Sequence, residues 1–158
     1  MKTAKTKIIL SIGVWSMLIL IGCASAPQQY NYLKEKVYAQ PFDTVWQKTI
    51  EWFGATGIPI KNLDKSSGFI ATEYNLRSDD VSPDKVCDCG SGTIISNPTG
   101  NFNIVVKKID QQNTKVIVNA FFKAQVKVYK LIGPDVEQPI DCNSTGRLER
   151  ELLIYLGN

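Results

Sequence analysis

The stretch from Thr114 to Lys130, TKVIVNAFFKAQVKVYK, decides the fold. Val116, Val118, Ala120, Phe122, Ala124, Val126 and Val128 alternate with Lys115, Asn119, Lys123, Gln125 and Lys127. Side chains of a strand point to opposite faces in turn, so this pattern puts one face on a core and leaves the other largely wet. Just upstream, Asn101 to Ile109 reads as a partner strand. Asp110-Gln111-Gln112-Asn113 supplies the turn of an antiparallel hairpin.

Moving outward, Ile58 to Leu63 and Phe69 to Leu76 form a second predicted strand pair, with Asp64-Lys65-Ser66-Ser67-Gly68 as its turn. Thr93 to Ser96 reads as a short strand ended by Asn97-Pro98, and Gly133-Pro134 ends the long one. Glu35 to Gln40 forms a first strand. Pro41 then suits the first turn of a helix, and Asp43 sits favourably near its positive end. At helical spacing Phe42, Val45, Trp46, Thr49, Ile50 and Phe53 share a face, with Gln47, Lys48 and Glu51 opposite and Gly54 and Gly57 at the end. Ser144 to Leu156 reads as a last helix, capped by Ser144 or Asn143, with Leu148, Leu152, Tyr155 and Leu156 on one face. The expected class is α+β: an antiparallel β-sheet with an N-terminal and a C-terminal helix packed on one face, in the order β-α-β-β-(β)-β-β-α.

The chain begins with Lys2, Lys5 and Lys7 and no acid, followed by an apolar run from Ile8 to Ile21. As a helix that run is roughly 21 Å long, short against a bilayer core of about 30 Å. A basic start, a short apolar run and small residues at its end are the features of a signal peptide. Leu20-Ile21-Gly22-Cys23 resembles the lipobox of bacterial lipoproteins. The resemblance implies diacylglycerol transfer to the Cys23 thiol, cleavage after Gly22, and acylation (palmitate-type) of the new amino terminus. Ala24 in the next position implies export to the outer membrane of a Gram-negative cell, facing the periplasm. Two acyl chains give stable anchoring. The expected organisation is a signal peptide over 1–22, a lipidated polar tether over 23–34 and a single domain over 35–158.

The order of elements resembles the helix-grip domains of BamC (NlpB-type), the lipoprotein subunit of the outer-membrane β-barrel assembly machinery, and lipoproteins related to it. The stretches that carry the likeness are Pro41-Phe42-Asp43-x-Val45-Trp46, Asp64-Lys65-x-x-Gly68-x-Ile70 and Ser144-Thr145-Gly146-x-Leu148-Glu149. Together with the order of elements they cover most of residues 35–157, in one such domain rather than two. The likeness implies fold and compartment, with an envelope assembly role as its functional counterpart.

Charge and composition bound the rest. The 18 basic and 15 acidic residues give a formal charge of +3, and the excess is the three signal lysines. No basic patch marks a nucleic-acid binder. Histidine is absent, which removes Ser-His-Asp and Cys-His catalysis and His metal ligation together. Asp79-Asp80 lies in a polar loop and reads as solvated surface. No catalytic residues, cofactor or resident metal are expected.

Beyond Cys23, the cysteines are Cys87, Cys89 and Cys142. In an oxidising periplasm one is left over. A Cys87–Cys89 bridge would close a small strained ring, so Cys142 is expected to pair with Cys89 or Cys87, tying the Arg77–Gly92 loop to the last helix. The alternatives are no bond at all, or a functional Cys₃ metal site completed by Asp88. C-x-C spacing without histidine fits zinc poorly.

The leading functional reading is a non-enzymatic, membrane-anchored protein that docks to another envelope protein. The second is a carrier of a small apolar ligand or lipid in a cavity between helix and sheet, though Trp46, Phe53, Phe102 and Phe122 look like filling for that space. On the wet sheet face, Ile117, Phe121 and Tyr129 interrupt the polar residues of the long strand, and Val105 and Ile109 have matching parity on its neighbour. These five are the candidate partner-binding stripe, with Phe121 as its centre.

Overall fold

The computed structural model describes residues 25–75, 86–91, 95–130 and 132–158. The elements are β1 (Glu35–Tyr38), α1 (Phe42–Thr56), β2 (Ile60–Asp64), β3 (Phe69–Asn75), β4 (Cys87–Asp88), β5 (Ile95–Lys108), β6 (Thr114–Val128), β7 (Val136–Ser144) and α2 (Arg147–Tyr155). Among the described residues they make an α+β arrangement with a seven-stranded antiparallel sheet and two helices. The sheet order is β2-β3-β5-β6-β7-β4, and β1 pairs with β6 as well.

The β5–β6 hairpin is the spine. Its register runs from Ile95↔Val126 to Lys108↔Thr114 with one irregularity between Ser96 and Thr99. The predicted stop at Asn97-Pro98 is therefore an interruption within one long strand. Asn97 takes a left-handed φ of 47°, and the bulge absorbs the Asn-Pro pair without ending the pairing. Phe102, Ile104, Val106, Val116, Val118 and Phe122 are all buried, as their parity requires. They meet Val45, Trp46, Trp52 and Phe53 of α1 and Leu148, Leu152 and Leu153 of α2 in one core, closed at the end of the chain by Leu156.

Two strands are absent from the sequence expectation. β7 pairs with β6 from Phe122↔Cys142 to Val128↔Val136, and β4 adds Cys87↔Ser144 and Asp88↔Asn143. Pro139 and the polar residues around it hide β7 in the sequence. Proline is tolerated there because β4 covers only the far end of β7, leaving Pro139 beside a sheet edge where no N–H is needed.

The helices differ from expectation in detail. Pro41 is the N-cap of α1 rather than its first residue, and Gly57 closes the helix in the left-handed conformation. Trp52 joins the buried face. In α2 the N-cap is Gly146, while Ser144 still belongs to β7. Tyr155 is 37% exposed, and Glu149 and Leu153 take the buried places instead.

β1 and β7 lie on the same side of β6. β1 pairs with Thr114–Ile117 and β7 begins opposite Phe122. Between them that side of β6 is left to the chain leading into β1, where the Val118 amide donates to the Lys34 carbonyl at 2.7 Å. The gap and the chain that enters it build the site described next.

Candidate functional site

Residues 25–34 carry no strand of their own beyond a single bridge between Ser25 and Ser91. They are nonetheless fastened along much of their length. The Ser91 amide donates to the Ser25 carbonyl at 3.2 Å, and the two hydroxyls lie 2.6 Å apart. The Gln28 amide and the Tyr30 hydroxyl both donate to Asp88 Oδ2, at 3.0 and 3.2 Å. The Asn143 side-chain amide donates to the carbonyls of Pro27 and Gln28. The segment read as a tether is laid against β4 and the end of β7 from Ser25 onward.

Asp88 is the hub of this contact. Its other oxygen accepts the Gly90 amide at 2.7 Å. The Gly90 and Gln28 amides, with a smaller contribution from Tyr30, hold its carboxyl below the usual carboxylate range. Gly90 has φ +87°, and a Cβ there would stand 2.4 Å from the Ser25 carbonyl oxygen. Only glycine lets the segment approach so closely.

Deeper in, the Tyr32 hydroxyl donates to Glu149 Oε1 at 2.8 Å, and the Ser144 hydroxyl donates to the same oxygen at 2.7 Å. Ser144 Oγ in turn accepts the Gly146 amide at 3.0 Å. Glu149 is fully buried, and its Oε2 has no hydrogen-bond partner among the described residues. Burial first, and the neighbouring carboxylate with it, push the Tyr32 phenol up to about 12, against the opposing pull of Ser144. Gly146, at φ +73°, lies against the Tyr32 ring, where a Cβ would come within 2.2 Å of the ring carbon Cγ. The Ser144-Thr145-Gly146-x-Leu148-Glu149 stretch is thus a seat for one tyrosine.

The cysteines sit beside this seat. Cys89 and Cys142 are joined in a disulfide across 53 residues of chain. Closing a loop of that length constrains the unfolded chain by about 4 kcal/mol in the chain-entropy account. The bond ties the turn after β4 to β7. Cys87 lies outside the disulfide and is buried, and all three sulfurs fall within 4.8 Å of one another. In the disulfide form, two of the three thiolates that a zinc or copper(I) site would need are committed to a covalent bond.

A shallow groove of about 380 Å³ runs along the gap, lined among others by Tyr30, Tyr32, Lys34, Phe121, Asn143 and Ser144.

Cys23, the expected lipidation site, lies outside the described residues. The proposed five-residue stripe does not form a continuous surface. Val105 faces Phe69 on one side and Ile117 on the other, and these make a half-buried apolar row. The next outward row is Ala71, Asn103 and Asn119, so polar side chains separate Ile117 from Phe121. Phe121 is 56% exposed and lies opposite Asn101. Ile109 and Tyr129 flank opposite ends of the β5–β6 ladder. At about 3.3 Å per residue they are roughly 50 Å apart. Shared parity placed them on one face but could not place them side by side.

Sequence reasoning missed Tyr32 and Glu149. For Glu149 a signal existed: it lies three residues before Leu152 and four before Leu153, on the apolar face. Tyr32 carried none, since its partner is more than a hundred positions away.

Compared with known protein families and with characterised proteins, the chain matches none.

Proposed function

We propose that this chain is a lipid-anchored envelope lipoprotein, held at Cys23 on the periplasmic side of the outer membrane, whose domain acts by docking to another envelope protein rather than by catalysis. The observation that carries the reading is Leu20-Ile21-Gly22-Cys23 directly after a basic and then apolar start. A disulfide in the folded domain fits an oxidising compartment. The α+β order, with helices at either end of an antiparallel sheet, supports a helix-grip arrangement of the BamC-like kind. Trp46, Phe53, Phe102 and Phe122 fill the space between sheet and helices, which weighs against the carrier reading. Phe121, exposed beside the groove, is the preferred contact residue, with Ile117, Val105, Ile109 and Tyr129 as separate secondary candidates.

The test is twofold. Cys23→Ser should leave the protein unprocessed or soluble on membrane fractionation, and crosslinking in intact cells should capture an envelope protein that Phe121→Asp loses. Normal membrane retention of Cys23→Ser would overturn the anchor. Undiminished capture by a folded Phe121→Asp protein would overturn the docking residue.

A further inference from the structure

The lipid anchor and the docked segment have a joint consequence for how the domain meets the membrane. Only Ala24 separates Cys23 from Ser25. Two extended residues span at most about 7 Å, comparable with the roughly 5–7 Å depth of one headgroup layer. Were residues 23–34 a flexible tether, its root-mean-square length would be roughly 20 Å, and the domain would present every face to the bilayer in turn. The segment is instead pinned to the domain at Ser25, through the Ser91 backbone and hydroxyl. It is pinned again at Gln28 and Tyr30 through Asp88, and at Pro27 and Gln28 through Asn143. The disulfide Cys89–Cys142 joins the two pieces of chain that hold it.

We infer that the domain sits flush on the phospholipid surface, with the rim formed by Ser25, Ala26, Gly90 and Ser91 at headgroup level. This rests on the lipid-anchor reading. The rim is small and uncharged. Asp88, the acid nearest to Gly90 in sequence, is turned inward onto amide and hydroxyl donors, so it presents no bare carboxylate to an anionic bilayer there. The sheet order fixes the rest of the orientation. β4 ends one side of the sheet and β2 the other, five strand spacings of about 4.8 Å away, or about 24 Å. The β4 edge faces the membrane and the β2 edge faces the periplasm. The disulfide is part of the mounting: it carries the restraint from the acylated residue into β7.

The experiment uses the processed protein from Cys23 to Asn158 in vesicles of phosphatidylethanolamine and phosphatidylglycerol. A photoactivatable benzophenone amino acid replaces Ser91 in one sample and Asn62 of β2 in another. Mass spectrometry reads both the acyl groups on Cys23 and the phospholipid adducts. The expected result is at least ten-fold more lipid adduct at 91 than at 62. The excess should collapse to near parity when twelve Gly/Ser residues are inserted between Ala24 and Ser25, or with Gly90→Val. A benzophenone at Ala26 gives the same reading should the larger side chain at 91 disturb the bridge. Acylated protein with equal adducts at 26, 91 and 62 would overturn the flush orientation and leave the anchor standing. Protein without acyl groups on Cys23 would overturn the anchor reading, and the orientation with it.

Discussion

Phe102 on β5 and Glu149 on α2 are both wholly buried, yet opposite physics holds them. Phe102 stands edge-on to Phe122, ring centres 6.3 Å apart, inside a core built by two long paired strands whose register is unbroken from Thr99 to Lys108. Its burial is non-directional and scales with apolar area removed from water. Glu149 is held by two hydroxyl donors at fixed distances and by a tyrosine seated against a glycine. The spine of the sheet tolerates exchange of one apolar shape for another. The N-terminal junction tolerates none of its partners being removed singly, because a buried polar group left short of a donor costs its desolvation.

The sharpest way to break the comparison is at the spine. Phe102→Ala should lower unfolding free energy by about 3–5 kcal/mol, read as a shift of the whole urea transition. A loss confined to the N-terminal segment would show that the two regions unfold separately.

At the junction the largest effect comes from the disulfide. Cys142→Ala should cost about 2–4 kcal/mol, and reductant should lower the wild-type urea midpoint and leave the variant unmoved. Tyr32→Phe removes one donor from Glu149 and should cost about 1–3 kcal/mol. Amide exchange should quicken over residues 25–34, and at Val118 whose amide bonds Lys34, while Val106, whose amide donates to the Gly68 carbonyl, stays protected.

Alkali discriminates the regions without mutation. The Tyr32 and Tyr38 phenols, raised mainly by burial, keep their protons in the folded chain up to about 12, against a usual 10.0. Between these values the unfolded chain binds fewer protons than the folded one, so stability is full below pH 10 and falls as pH rises towards 12. The urea midpoint should hold flat to about pH 9 and drop by about pH 11. Tyr32→Phe should blunt that drop.

The smallest effects belong to the outer face of the sheet. Phe121→Asp should stay within about 0.5 kcal/mol of wild type. Ile117→Asp should cost more, because Ile117 packs in register beside Val105. Equal effects would mean that the outward row is no better packed than an isolated exposed ring.

What the sequence determined by itself was whatever repeats at short range. The alternation of Val116 to Val128 set a strand and its two faces, the 3.6-residue spacing of Val45, Trp46, Thr49 and Phe53 set a helix, and Asp110–Asn113 set the turn that fixes the hairpin register. These follow from local geometry and solvation, which act on neighbours in the chain. The choice of Cys89 over Cys87, the strand status of a stretch holding Pro139, the isolation of Phe121 from Ile117 and the docking of Tyr32 on Glu149 were left to the tertiary structure. Each depends on which distant segment arrives at a given edge, and with what offset. Parity says which way a side chain points. Only the assembled sheet says what stands beside it.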